Sequence, residues 1–334
     1  MINSELLGKR ILYITPKFFG YENEIKQALI NEFGASVDFY DDRPSNDIWT
    51  KVFIRLQLKS LVKRKIDSYY EAIFHYIQEK VYDYILIVSP ETLSQKELKI
   101  IKSLQPQAKF ILYMWDSFKN KNSLHLINMF DRVLSFDDRD VEKYNLYFCP
   151  LFYSENYKNV LSKGVMTYDL CSIATAHSDR YKIITQIKNQ LEESSFKIFS
   201  FLYLPSKLMY WVRKIFLKRY QYGNISDFSF YPMTQAEVVS IMSKSKTILD
   251  INHPAQHGLT MRTFEAFGMH KKLITTNVNI KKYDFYNEAN ILIIDRKKII
   301  IDSKFMNTPY VFLSKELYEK YSLNRWLKYV FDCR

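Results

Sequence analysis

The segment KRILYITPKFFGYENEIKQALINEFGASVDFY, residues 9–40, gives the first indication of the fold. It opens with a short apolar run over residues 9–16, continues with a helical pattern over residues 22–33, and ends in a second strand-like run over residues 36–40. Strand, helix and strand at this spacing predict a βαβ unit, in which the two strands are parallel. We therefore expect a parallel sheet covered by helices.

The same alternation continues through two halves of the chain, separated by a polar stretch at residues 154–168. Further strands are predicted in the first half at residues 82–89, 109–115 and 132–136, with helices near 94–104 and 123–130. In the second half the predicted strands are 169–176, 196–202, 247–251 and 272–276, with helices at 181–192, 234–243 and 261–268. Near-continuous apolar strands are typical of a sheet covered on both faces. The chain length of 334 residues also favours two domains.

The composition indicates a folded protein with an anionic partner. Hydrophobic residues make up 47% and charged residues 25% of the sequence, which excludes a disordered or fibrous chain. The formal net charge of +12 points to nucleic acid, an acidic membrane or a phosphate-bearing substrate. The three cysteines form no CxxC pair, so a reducing cytoplasm is expected. No signal peptide is predicted, and no apolar run approaches the roughly 18 residues of a spanning helix.

The polar segment DINHPAQHGLTMRTFE, residues 250–265, follows a predicted strand and opens a predicted helix. Open α/β sheets bind ligands at the carboxyl ends of their strands. A helix that begins near Thr260 offers N–H groups and a positive dipole to an anion such as a diphosphate. Arg262 would add a bidentate charge, and Glu265 would accept from ribose hydroxyls. The alternative is structural: Thr260 caps the helix and Arg262 pairs with Glu265.

A second polar loop, His177-Ser178-Asp179-Arg180, follows the first predicted strand of the second half. It occupies the phosphate-binding turn of a Rossmann-like unit but lacks the GxGxxG glycines. Its hydroxyl and guanidinium groups suit a phosphate. The alternative is that Ser178 or Asp179 caps the helix that follows.

In the first half, Asp116 stands at the carboxyl end of a predicted strand. A carboxylate there is placed to take a proton from an acceptor hydroxyl. The alternative is that Asp116 or Ser117 caps a following helix. The pair Asp41 and Asp42 resembles a solvated turn more than a catalytic dyad.

No metal site is predicted. His253 and His257 are four residues apart, but the proline between them prevents them from sharing a helix face. Walker-type phosphate loops, HExxH, GxSxG and paired CxxC motifs do not occur in the sequence.

Two acid-free segments combine cations with apolar residues. Residues 48–66, with cations every four residues from Lys51 and Arg55 through Lys63, predict a basic amphipathic helix. Residues 194–226 contain the similar sequence SKLMYWVRKIFLKRY at 206–220. An anionic membrane would contact Lys59, Lys63, Arg64, Trp211, Arg213 and Lys214. The alternative places the apolar faces in the core and the cations in solvent. Nucleic-acid binding is not expected, because no RRM, KH or helix-turn-helix pattern accompanies the charge.

The segment TILDINHPAQHGLTMRTFEAFGMHKKLITTN, residues 247–277, resembles the donor-binding segment of bacterial GT-B-fold glycosyltransferases. The similar group is the one related to spore-maturation and lipopolysaccharide or capsule sugar transferases. The segments ILYITPKFFGYENEI, YMWDS, LSFDDRD, CPLFY and IATAHSDRYKII are similar to the same group. The resemblance implies an α/β protein with two Rossmann-like domains facing a cleft. Residues 1–158 would form the acceptor domain and 159–310 the donor domain. The helical pattern within residues 311–334 could cover either half, and packing back on the first domain is one option.

The resemblance also implies roles for individual residues. Thr260 and Arg262 would face the diphosphate and Glu265 the ribose. The remaining donor-binding residues would be His177, Ser178, Arg180, Asn252, Gln256 and His257. Many retaining GT-B enzymes carry an acid eight residues before the ribose-binding Glu, where this chain has His257, which favours inversion with Asp116 as the base. The resemblance implies no metal and no cofactor beyond the nucleotide-sugar substrate.

The resulting hypothesis is a cytoplasmic glycosyltransferase, peripheral on the inner face of the cell membrane. It would move a sugar from a nucleotide-diphosphate donor to a hydroxyl of a lipid-linked or surface-polysaccharide precursor, such as lipopolysaccharide or capsule. One open alternative is a nucleotide-sugar epimerase or polyol-phosphate transferase on the same fold. The other is a non-enzymatic basic protein that binds membrane or nucleic acid, which predicts no nucleotide-sugar affinity and strong salt dependence.

Overall fold

The computed structural model describes residues 5–45, 47, 50, 53–54, 58–158, 160, 166–192, 195–217 and 223–333. The chain divides into two compact units. Unit 1 comprises Met1–Pro150 with Leu323–Arg334, and unit 2 comprises Leu151–Ser322. The ranges expected from the sequence placed the boundaries after residues 158 and 310. Among the described helices, none has the length and apolar character needed to cross a bilayer.

Unit 1 contains a six-stranded parallel sheet. Its strands are β1 (Arg10–Thr15), β2 (Ser36–Asp41), β3 (Tyr84–Val88), β4 (Lys109–Met114), β5 (Arg132–Ser135) and β6 (Tyr147–Phe148). The order across the sheet is β2-β1-β3-β4-β5-β6. The chain passes from β1 to β2 on one side and then to β3 on the other, so the topological switch point lies between β1 and β3.

Helices follow the strands of unit 1 in the part of the chain that the structure describes. They are α1 (Tyr21–Asn31), α2 (Lys63–Ile77), α3 (Gln95–Leu104) and α4 (Asp138–Tyr144). Helix α3 begins with a capping box, in which Ser94 and Glu97 satisfy each other's backbone N–H groups. The segment expected as a helix near residues 123–130 is instead a 3-10 helix, Leu124–Met129.

The prediction of one basic helix over residues 48–66 is wrong for the part that the structure describes. Leu58 lies outside any helix, Lys59–Val62 is a 3-10 turn, and α2 begins only at Lys63. The residues of α2 that are buried in the core of unit 1 are Ile66, Tyr70, Ile73 and Ile77. Buried residues at this helical spacing show that the helix begins later in the chain than the pattern of cations predicted. Lys51 and Arg55 lie outside the described residues.

Unit 2 contains a five-stranded parallel sheet. Its strands are β7 (Tyr168–Thr175), β8 (Ile198–Tyr203), β9 (Ser245–Asp250), β10 (Lys272–Thr275) and β11 (Ile291–Ile293), in the order β11-β10-β9-β7-β8. Its helices are α5 (Arg180–Glu192), α6 (Lys207–Phe216), α7 (Gln235–Ser243), α8 (Met261–Gly268), α9 (Ser303–Asn307) and α10 (Lys315–Glu319). The switch point lies between β7 and β9.

Close packing fixes the end of α8 and the last helix of the chain. A Cβ on Gly268 would lie 2.7 Å from the Tyr153 Cβ, so only glycine fits where α8 ends. The last helix, α11 (Leu323–Phe331), belongs to unit 1, where Trp326 packs edge-on against Tyr113 with ring centroids 4.7 Å apart. Two parallel α/β units confirm the predicted pair of Rossmann-like domains.

Candidate functional site

The switch point of unit 2 brings two polar loops together. Strands β7 and β9 are hydrogen-bonded neighbours, and both run in the same direction. Their carboxyl ends, Thr175 and Asp250, therefore lie at the same edge of the sheet. The loops that follow, residues 176–180 and 251–260, contain the donor-binding residues predicted from the sequence except Arg262 and Glu265, which lie in α8. A parallel sheet forms its ligand crevice at such a point.

Arg180 is held at this switch point by hydrogen bonds to backbone carbonyl groups. Its Nε donates to the Ile251 carbonyl oxygen at 2.6 Å, and its Nη1 donates to the Thr175 carbonyl oxygen at 3.2 Å. Burial lowers the pKa of the guanidinium group, which nevertheless stays charged at neutral pH. The structure thus fixes a positive charge where the loops after β7 and β9 meet.

Arg296 is a second cation at this edge, and the sequence analysis missed it. Its Nη1 pairs with Asp179 Oδ1 at 2.7 Å. Its Nη2 donates to Asn252 Oδ1 at 2.7 Å and to Thr276 Oγ1 at 2.9 Å. Arg296 follows β11, which has only three residues and was not predicted as a strand from the sequence. Because site residues were sought at the ends of predicted strands, Arg296 was not found. Four polar groups from separate loops are thereby cross-linked.

The start of α8 is built around the buried carboxylate of Asp250. Thr260 caps the helix, because its hydroxyl accepts from the Thr263 N–H. The hydroxyls of Thr260 and Thr263 both donate to Asp250 Oδ2, at 2.7 and 2.9 Å. The Thr260 side chain therefore stabilises the helix start, as the structural alternative states.

Arg262 and Glu265 pair on the first turns of α8. Arg262 Nη1 lies 2.5 Å from Glu265 Oε2 and 2.7 Å from the sulfur of Met242. The Glu265 side chain is buried, so the guanidinium offsets a charge that would otherwise be costly there. Both predicted ligand groups thus have partners inside unit 2, and their contact with a diphosphate and a ribose stays a prediction.

His177 is held as a neutral group beside cations. Its Nδ1 is 3.1 Å from Ser178 Oγ, and its ring centroid is 5.6 Å from that of His253. Burial lowers the pKa of His177 to about 3, with smaller contributions from Arg180 and His253. Ser178 has a φ of 50°, the left-handed conformation, which is uncommon outside glycine and is often found at functional sites.

The loop between β9 and α8 is ordered by amide groups. Asn252 Nδ2 donates to the Gln256 carbonyl oxygen at 3.0 Å, and Gln256 Nε2 donates to the Gly258 carbonyl oxygen at 3.1 Å. The His257 carbonyl oxygen accepts from Asn277 Nδ2, also at 3.0 Å. Asn252 therefore belongs to the switch-point cluster through Arg296, whereas Gln256 and His257 belong to the supporting loop.

Arg213 and Lys214 are oriented differently from the prediction that they face a membrane. Arg213 Nη1 donates to the Ala176 carbonyl oxygen, at the start of the loop that carries His177. Lys214 Nζ donates to Tyr210 Oη and to the Gly223 carbonyl oxygen, both at 3.0 Å. The helical period places these two cations on the same side of α6 as the buried Tyr210. Of the three residues predicted on this helix, Trp211 is the exposed one.

The cations of the first basic segment lie on unit 1. Lys63 and Arg64 are exposed in the first turn of α2, and Lys59 is partly buried in the 3-10 turn before it. Burial lowers the pKa of Lys59, while the charges of Asp42 and Glu97 oppose that shift. These cations sit on two different elements, in contrast to the continuous basic face expected.

Asp116 follows β4 at the carboxyl edge of unit 1. Its Oδ1 accepts from the Ser117 N–H at 3.0 Å and from Asn120 Nδ2 at 2.9 Å. Burial raises the pKa of Asp116, and the nearby carboxylates of Asp140 and Asp137 raise it as well. No α-helix follows within the described residues 117–131, so the helix-capping alternative is wrong. A carboxylate of increased basicity at a sheet edge suits general-base chemistry.

Aromatic side chains lie together at Trp115, the residue before Asp116. The Phe18 ring centroid is 5.8 Å from that of Trp115 and 4.6 Å from that of Phe19. Phe19 is exposed and has a φ of 52°, an unusual conformation for a bulky residue, and Gly20 after it has a φ of 87°. Two phenylalanines and a glycine at residues 18–20, shortly after β1, are the sequence feature from which this surface could have been predicted, and the sequence analysis did not use it.

The pair Asp41 and Asp42 is not the solvated turn expected. Asp42 is fully buried, and its carboxylate accepts from the backbone N–H groups of Glu91 at 2.6 Å and Thr92 at 2.7 Å. Burial raises its pKa despite these bonds. Asp42 therefore anchors the loop after β3 from within the unit.

Comparison with known proteins finds similarity at the level of solved structures. No family model matches the chain, and no curated protein matches its sequence. A crystal structure of HepE from Anabaena with UDP and glucose has a TM-score of 0.60 at 12% identity, covering 97% of this chain and 98% of that one. A glycosyltransferase from Rickettsia africae has a TM-score of 0.51 at 12% identity, covering 97% of both chains.

The catalytic domain of starch synthase IV from Arabidopsis thaliana, bound to ADP and acarbose, is also similar. Its TM-score is 0.51 at 10% identity, covering 98% of this chain and 96% of that one. At identities this low, the similarities show a shared fold, which is the two-domain GT-B fold. The more specific group related to spore-maturation, lipopolysaccharide and capsule transferases stays a prediction.

Proposed function

We propose that this protein is a glycosyltransferase that uses a nucleotide-diphosphate sugar. The observation that carries the proposal is the pair of arginines, Arg180 and Arg296, fixed at the switch point of the unit 2 sheet. Guanidinium groups held by protein partners keep their position as a ligand arrives, and planar guanidinium suits phosphate oxygens. The N-terminus of α8 adds its dipole beside the same loops.

The complexes of similar structures support the donor class. HepE of Anabaena is solved with UDP and glucose and with UDP-glucose, and starch synthase IV with ADP and acarbose. These ligands belong to those proteins, and the fold alone does not transfer them. Together with the arginine pair, they favour a nucleoside diphosphate as the leaving group here.

The proposed reaction is displacement at the anomeric carbon. Asp116 takes the proton of the acceptor hydroxyl, whose oxygen forms a bond to that carbon. The bond to the diphosphate oxygen breaks, its electron pair stays on the phosphate, and Arg180 and Arg296 stabilise the added charge. A single displacement inverts the anomeric configuration. The protein's own cations provide this stabilisation, so the proposal includes no metal and no further cofactor.

The acceptor is proposed to be a lipid-linked or surface-polysaccharide precursor. The support is the charge distribution: the chain carries a net charge of +12, and the stretch 194–226 contains no acid. Cations of this density favour an anionic membrane surface. The proposed location is accordingly the cytoplasmic face of the cell membrane, as a peripheral protein.

The test is the melting temperature of the full chain with UDP, GDP, CDP, dTDP or CMP. A ligand of the folded state raises the melting temperature by mass action. We expect one diphosphate to raise it. In Arg180→Lys, which keeps the charge and loses the planar fork, we expect roughly 10- to 100-fold weaker binding of that diphosphate.

Arg180→Lys also loses the hydrogen bonds of Arg180 to two carbonyl oxygens, which changes the melting temperature without ligand. The melting temperature with ligand is therefore compared with that of the same variant without ligand. Lys304→Gln, a change at an exposed cation of unit 2, is the control and should retain the full rise. The proposal fails if no diphosphate raises the melting temperature, or if Arg180→Lys responds like the wild type.

A further inference from the structure

Helix α6 turns an apolar stripe toward solvent. The exposed fractions are 74% for Leu208, 73% for Ile215 and 77% for Phe216, and about half of Trp211 and Val212 is exposed as well. These positions follow the helical spacing of three and four residues, so they form one continuous face. Soluble proteins normally bury such a stripe against the core.

The orientation of α6 is fixed by its other side. Tyr210 is buried in the core of unit 2, and its hydroxyl donates to the Gly223 carbonyl oxygen at 2.9 Å. Arg213 and Lys214 hydrogen-bond to the unit from the same side. Ser206 caps the helix start by accepting from the Met209 N–H at 3.1 Å. The helix is therefore anchored in a way that leaves its apolar stripe outside.

The charge around α6 decides which partner fits the stripe. Lys207 is exposed at the start of the helix, and Lys218 and Arg219 follow its end in the sequence, outside the described residues. The stretch 194–226 contains no acid, and it has four lysines and arginines besides the inward-directed Arg213 and Lys214. A second copy of the same face would bring like charges together, which opposes a symmetric dimer. An anionic lipid surface would bury the apolar stripe and place negative headgroups beside the cations.

We propose that α6 lies in the surface of an anionic bilayer, with Leu208, Trp211, Val212, Ile215 and Phe216 inserted among the lipids. Trp211 suits this position because an indole ring is apolar with one polar N–H group. Arg213 links α6 to the Ala176 carbonyl oxygen, at the start of the loop 176–180, which we call the donor loop. Docking through α6 therefore holds the donor loop close to the bilayer. Resting on the proposed function, this placement favours a lipid-linked acceptor among the proposed precursors.

The experiment is co-sedimentation of the full chain with vesicles. One set contains phosphatidylcholine alone and the other 30% phosphatidylglycerol, chosen as the probe of negative charge. The test variant is Ile215→Ser with Phe216→Ser. The matched control is Val278→Ser with Phe312→Ser, which removes equally exposed apolar groups from other parts of unit 2.

The wild type and the control should bind the anionic vesicles and release them at high salt. The Ile215→Ser, Phe216→Ser variant should bind at least tenfold more weakly, with an unchanged melting temperature. In the wild type, a blue shift of tryptophan emission on binding should disappear in Trp211→Phe. Equal binding by the test variant, no binding by the wild type, or a dimer that the test variant abolishes would each overturn the proposal.

The result is separable from that of the proposed function. The serine variant should keep the full rise in melting temperature with the nucleoside diphosphate. Nucleotide binding without vesicle binding would refute membrane docking alone. Vesicle binding through α6 without nucleotide binding would refute the sugar-transfer function and leave the docking surface in place.

Discussion

The two sheets share one architecture but differ in charge at their carboxyl edges. In unit 2 the edge holds the guanidinium groups of Arg180 and Arg296, while its carboxylates are engaged, Asp179 by Arg296 and Asp250 by two threonine hydroxyls. In unit 1 the edge holds the carboxylates of Asp116 and Asp140. At each edge the surroundings shift the pKa of one titratable side chain so that its neutral form is favoured. The pKa of His177 falls to about 3, and the pKa of Asp116 rises, mainly by burial and secondarily by like charges.

In both units the fold provides the position and the loops provide the chemistry. A basic edge suits binding of an anion that gains charge during the reaction. An edge with a carboxylate of raised pKa suits removal of a proton. Substitutions at either edge separate these two roles.

Asp116→Asn should lower kcat by a factor of roughly 10² to 10⁴, because an amide cannot take the acceptor proton. The amide oxygen can still accept from the Ser117 N–H, so the fold and the nucleotide affinity should remain. The measurement is nucleotide release from the matching sugar nucleotide, with extracted membrane lipids as acceptor. Asp138→Asn, on the adjacent helix α4, is the control. Full activity in Asp116→Asn would show that Asp116 is not the catalytic base.

His177→Gln should change how stability depends on pH. The folded protein binds a proton at His177 only near pH 3, whereas an unfolded histidine binds one near its ordinary value of 6.5. The unfolded state therefore takes up more protons between these values, and stability is lost as the pH falls below about 6.5. Burial is the main cause of this low pKa of His177; Arg180, His253 and Arg213 lower it further, and Asp179 opposes them.

Denaturant unfolding at pH 4 to 7 measures this effect. The free energy of unfolding should decline less steeply toward acid in His177→Gln than in the wild type. His75→Gln, at a histidine that lies outside the site, should keep the wild-type slope. Identical slopes in His177→Gln and the wild type would mean that His177 protonates normally in the folded protein.

Asp140→Asn should give the smallest effect, a shift of the acid limb of the kcat profile to lower pH by less than about one unit. The charge of Asp140 raises the pKa of Asp116, so its removal lets Asp116 ionise at lower pH. The asparagine oxygen can still accept from the Phe118 N–H. Glu142→Gln, exposed on the same helix, should leave the profile unchanged. A shift toward higher pH would contradict the assigned cause.

The sequence predicted the sheets better than the site. Apolar runs such as residues 109–115 and 272–276 became buried strands because both faces of each sheet are covered. The two-residue β6 and three-residue β11 are too short to carry such a pattern.

The missed site residues have a related cause. Arg296 follows one of these short strands and reaches the site only through the folded topology. Arg213 was expected to face a membrane because cations on amphipathic helices usually contact solvent. Its spacing from the buried Tyr210 was the signal that it lies on the inner side.

The most direct measurement is amide hydrogen exchange of the full chain with and without the diphosphate that raises the melting temperature most. The central claim is that the basic edge of unit 2 binds this diphosphate. We predict slower exchange in residues 176–180 and 251–263 and no change in residues 16–20 and 115–120. Protection confined to the unit 1 edge, or none at either edge, would contradict the claim.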